Sequence, residues 1–148
     1  MSVIGKRTIY VGPAGDNTCK PVNLEGIAKV AIAPGTVLKQ LTDGLDASDI
    51  AAAIYGQEFI VADKDQMRSR SVDDAWTVAE NMVAIRPRSG ELVNVLVATA
   101  QALIVGTALT RNGAGLLTIA ATTAEEIVAY SDEEVTTVAT QLVRVTPA

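Results

Sequence analysis

Short apolar runs rich in β-branched residues recur along this chain, and a turn-forming group closes many of them. Ile27–Ile32 ends at Ala33-Pro34-Gly35, Thr36–Leu41 at Thr42-Asp43-Gly44, and Asn81–Arg86 at Pro87 and Ser89-Gly90. Val, Ile and Thr suit a pleated strand, whereas Pro and Gly interrupt helices. Such punctuation leaves room for short strands and little else. Glu58–Ala62, Leu92–Val97, Gly106–Thr110, Leu116–Ala120, Ile127–Tyr130 and Val135–Val145 continue the pattern. Asn112-Gly113 marks a hairpin, because both residues tolerate positive φ; a turn built around Gly115 is the alternative register. The expected fold class is therefore all-β, a compact β-sandwich or β-barrel with at most one or two short helices, near Ser48–Tyr55 or Asp73–Glu80. Its core should draw on Ile60, Val83, Ile85, Val93, Val95, Val97, Leu109, Leu117, Ile119, Val128, Leu142 and Val143.

Residues 1–21 read differently. Gly5, Gly12, Pro13, Gly15 and Pro21 surround a single apolar patch, Thr8-Ile9-Tyr10-Val11. This favours an extended arm or a single strand with turns; the expectation is an N-terminal arm over 1–21 and one β-rich domain over 22–148. The first forty residues hold Lys6, Arg7, Lys20, Lys29 and Lys39 against Asp16 and Glu25, so under a net charge of −5 the remainder is strongly acidic. Lys6, Arg7, Ile9, Tyr10 and Val11 are candidate partner-binding residues, suited to strand addition beside acidic groups. Arg86 and Arg88, with Arg68 and Arg70, form the one basic stretch of the acidic body and complete the candidate set. The sparse charge between Gln101 and Ile119 predicts burial of part of that segment against identical subunits.

Chemistry is poorly provided for. The chain has no histidine, which excludes a Ser-His-Asp triad and a His-bearing zinc site. Its lone cysteine, Cys19, has no second thiol to pair with. Asp63-Lys64-Asp65 and Asp73-Asp74 lack the spacing of a calcium loop and read as solvated loop acids. Glu125, Glu126, Asp132, Glu133 and Glu134 read as a soluble rim. Gly12-Pro13-Ala14-Gly15-Asp16 lacks the Gly-Lys-Ser/Thr end of a phosphate loop. No catalytic, cofactor-binding or metal-ligating residue is expected, nor a small-molecule substrate. An acidic chain is a poor general nucleic-acid binder, and no apolar run approaches the ~20 residues of a membrane span. The first residues lack the apolar stretch of a signal peptide, so synthesis in a cytoplasm is expected.

Several elements recur in a telling order. Asp73-Asp74-Ala75-Trp76-Thr77-Val78-Ala79-Glu80-Asn81 is an acidic-aromatic turn leading into a strand, and Arg86–Val97 places Gly90 before an inner strand. Ile104–Leu109 and Gly113–Leu117 give a glycine-leucine-hairpin-leucine unit, which Ile127–Ser131 and Leu142–Val145 follow. From Ala75 to Val145 this series resembles the head decoration, or capsid cement, proteins of tailed bacteriophages. The resemblance implies a structural protein of the virion, on the outer surface of the capsid. It would bind the major capsid protein and stabilise contacts between its subunits, as a homotrimer or, next, a dimer. The alternative is an adhesion or carbohydrate-binding β-domain of a virion fibre or cell surface, with Trp76 and the tyrosines for ring stacking.

Overall fold

A computed structural model describes residues 6–13, 22–50 and 58–148, and among these the chain is all-β with no helix. The first sheet runs in the order β1 (Tyr10–Pro13), β7 (Glu91–Val97), β10 (Leu117–Ile119), β9 (Ala108–Arg111), β11 (Ala129–Ser131), β13 (Gln141–Pro147). β13 pairs again with β7, from Gln141↔Val97 to Val145↔Val93, and so closes a five-strand barrel with β1 attached outside it. The second sheet runs β2 (Val22–Ile27), β6 (Asn81–Arg86), β5 (Ile60–Ala62), β3 (Val37–Leu41), β4 (Gly44–Ala47). It curls until Ala28, just past β2, bridges Leu45 in β4. A two-stranded ribbon, β8 (Ala102–Leu103) with β12 (Val135–Thr136), completes the described strands.

Strand periodicity explains the two cores. Successive side chains point to opposite faces. In β5, Val61 packs with the barrel residues Val93, Val95, Leu109 and Val143, while Ile60 and Ala62 pack with Trp76 and Met82. β3 splits the same way, Val37 from Leu38, and β6 splits Ile85 from Met82 and Ala84. These three strands form a wall with a core on each side, which is why they read as unbroken apolar runs. Of the expected core, Val83, Ile119 and Leu142 lie at the margins, only partly buried.

Several expectations are corrected. Ile27–Ile32 is not a strand: β2 ends at Ile27, and Ala28 and Ile32 turn inward to fill the second core. Asp73–Glu80 is not a helix. Trp76 and Ile32 exchange backbone hydrogen bonds of 2.8 and 3.0 Å, and the Trp76 indole donates to the Asp63 carbonyl at 2.7 Å, which holds the segment out of a helix. Ser48 Oγ accepts from Ile50 N at 3.3 Å as a capping serine would, but the body of the helix expected there, 51–55, lies outside the described residues. Val135–Val145 is two strands, because buried Thr137 bonds across to Ala98 and Gln101 and bends the chain. Between β9 and β10 the chain makes a five-residue loop, not a two-residue type I′ turn. Asn112 N donates to Leu116 O, and Asn112 Oδ1 accepts from Ala114 N and Leu116 N.

The largest correction concerns the arm. Residues 6–13 belong to the fold: β1 pairs with β7 from Tyr10↔Val93 to Pro13↔Glu91, and Ile9 is fully buried in the barrel core. The segment cannot hold a strand alone, but β7 supplies a flank for β1 to pair with. Asn94 donates to the Ile9 and Thr8 carbonyls, each at 2.7 Å. Cys19 and the rest of the expected arm lie outside the described residues.

Candidate functional site

Most of the candidate partner-binding residues are engaged within the fold. Lys6 pairs with Glu133 at 2.7 Å, and the Arg7 carbonyl accepts from Lys64 Nζ at 2.8 Å while its side chain stays exposed. Ile9 is core, and Tyr10 packs against that core, so neither offers a docking patch. Val11 remains 42% exposed at a bulge in β1. Arg86 pairs with Glu58 at 3.0 Å and donates to Gln40, and Arg88 pairs with Glu91 at 2.9 Å. The outer edge of β1 is also a poor template for strand addition, because the bulge and Pro13, which has no N–H, interrupt its row of donors.

Of the acids expected to be solvated, Asp73, Asp74 and Glu134 are exposed, whereas others carry structure. Asp63 and Asp65 are buried. Asp65 faces Arg68 at 3.2 Å and Arg70 at 3.8 Å, while Arg70 forks onto Glu80 at 3.0 and 3.2 Å. With Arg70 and the Thr77 amide donating to it, Glu80 is lowered to about 2, whereas burial raises Asp63. In the expected rim, Glu126 pairs with the buried Arg111 at 2.8 Å, Asp132 with Arg144 at 2.7 Å, and Glu133 with Lys6. An arginine before Asn-Gly reads as a surface residue, so the burial of Arg111 had no local signal. Among the described residues no group of three or more His, Cys, Asp or Glu is placed to hold a metal.

The surface that the sequence only half disclosed is the outward face of the β8–β12 ribbon. Residues 98–110 and 135–143 contain no charged side chain, and these two runs pair with each other. Along the strands and the residues that flank them burial alternates: Leu103, Val135 and Thr137 point inward, and Ala100, Ala102, Ile104, Glu134, Thr136 and Val138 point outward. Outward positions of a ribbon on a barrel should be polar; here all but Glu134 are apolar or neutral. Val138 is 87% exposed, with Ile104 and Val105 above 60%.

The ribbon is held firmly without any partner. Ala100 N donates to Thr137 O at 2.7 Å, and Gln101 Oε1 accepts from Thr118 Oγ1 and Ile119 N at 3.0 Å each, tying β8 to β10. Thr107 Oγ1 accepts from Ile104 N and donates to Ile104 O, fixing the following turn. An apolar face with a single carboxylate, Glu134, at its end offers burial against another protein surface. The sparse charge after Gln101 was the signal for β8; the pairing that brings 135–138 alongside was not visible locally.

No family model matches the chain, and no curated protein matches it. Among solved structures, it is similar to the N base of head fiber gp8.5 of bacteriophage phi29. The TM-score is 0.55 at 16% sequence identity, over 87% of this chain and 95% of that one. At that identity the likeness is one of fold.

Proposed function

We propose that this chain is a structural, non-catalytic protein of a bacteriophage virion, seated on the outside of the head, where it binds the major capsid protein and cements contacts between its subunits. The observation that carries the reading is the fold shared with a phage head-fiber base over most of both chains. The ordered motifs from Ala75 to Val145 support the same reading independently. The sugar-binding alternative loses ground at Trp76, whose ring is buried and whose indole N–H is spent on Asp63, so it presents no stacking face.

Co-sedimentation is the direct test. Heads assembled without this protein and then purified should bind the added chain to saturation, and should withstand heating better once decorated. Failure to co-sediment, together with binding on a glycan array, would replace the cement reading with the adhesive one.

A further inference from the structure

We infer that the outward face of the β8–β12 ribbon is the contact through which copies of this chain associate with one another. Two charge-free runs, 98–110 and 135–143, are brought side by side by the Ala102↔Thr136 and Leu103↔Val135 pairing. The ribbon thereby presents apolar or neutral side chains on both faces, the inner one against the barrel core and the outer one left exposed among the described residues. A strand apolar on both faces is the pattern of a strand covered on both faces.

The choice of occupant follows from charge. The chain carries a net −5, so two copies repel through most of their surfaces. They approach at least electrostatic cost through a face whose one charge, Glu134, lies at its end. A two-fold contact also requires a patch complementary to itself, and apolar side chains meet their own kind without the repulsion that acidic ones would suffer. A stable interface buries about 800 Å² per partner, so the ribbon supplies its apolar centre, with Thr99, Thr140 and Glu134 at the rim. The inference does not depend on what else the protein binds.

Sedimentation equilibrium of the full chain, with the variants Ala102→Arg and Val138→Asp, tests it. Both side chains are exposed, so melting temperatures should stay at the wild-type value. The wild type should sediment above the 15.4 kDa of one chain, and each variant should associate at least tenfold more weakly. Thr136→Lys serves as a third variant should either of the others melt lower. Val11→Asp, on β1, should leave the mass unchanged. A wild type that stays at 15.4 kDa at 100 µM overturns the inference, as do ribbon variants that associate like wild type. Dissociation by Val11→Asp overturns it too, as would ribbon variants that keep their mass but lose binding to heads; the latter would assign the face to the capsid.

Discussion

Gly113 and Gly115 share a positive φ, 81° and 77°, but not the space around them. A Cβ on Gly113 would come no nearer than 3.8 Å to the Asp49 carbonyl, whereas on Gly115 it would reach 2.8 Å from Thr36 Cγ2. Backbone strain alone should make Gly113→Ala cost about 1–2 kcal/mol. Gly115→Ala adds a clash against the wall between the cores, and urea melts should show the larger loss there. Two carboxyls should bend the pH dependence of stability in opposite directions. Asp63 is raised by burial, so the folded chain holds that proton more tightly than the unfolded one. Its contribution is full below the ordinary aspartate value and fades as pH rises through the raised one. Asp63→Asn should therefore gain stability over wild type at pH 7 and lose that advantage at pH 3. Glu80 is lowered from 4.5 to about 2, mainly by Arg70, so its contribution is present above 4.5 and is lost as pH falls toward 2. Glu80→Gln should flatten that acid limb in denaturant titrations.

Among the elements, β1 gives the sharpest reversal. Ile9→Ala should cost about 2–5 kcal/mol, as for other fully buried aliphatic side chains. Removing residues 1–13 should lower the melting temperature, where a free arm would leave it untouched. The signals that suggested an arm were local, Gly12-Pro13 and the lack of a longer run, while the pairing that overrides them is with β7, far along the chain. Strands of the wall were legible for the opposite reason: burial on both faces writes an unbroken apolar run at Val37-Leu38, Ile60–Ala62 and Met82–Ile85. β2 was misplaced because Asn23 and Glu25 face solvent from an outer strand and dilute its signal, while Ala28 and Ile32 imitate a strand by filling the end of a core. Trp76 was legible as the aromatic of a turn, but not as the residue that bridges Ile32.

At the scale of the whole molecule, the wall ties the two cores together. Val61 serves one and its neighbours Ile60 and Ala62 the other, all within three residues. Neither core keeps its lining if the other opens. Fluorescence of Trp76, the only tryptophan, reports the second core, and far-ultraviolet circular dichroism reports both. Their denaturation curves should coincide, in wild type and in a destabilised Val61→Ala variant. A separation of the two curves would mean that the cores unfold independently.

The grip on β7 also sets an order in time. One flank is held by β13 and the other in turn by β1, the Gly35 carbonyl and β10. Those partners come from both ends of the described chain, so large loops must close before their hydrogen bonds form, and refolding belongs in the millisecond-to-second range of non-local β-proteins. During synthesis, β1 can meet β7 well before residues 141–147 have emerged. Through that interval one side of the central strand is bare and open to capture by another nascent chain.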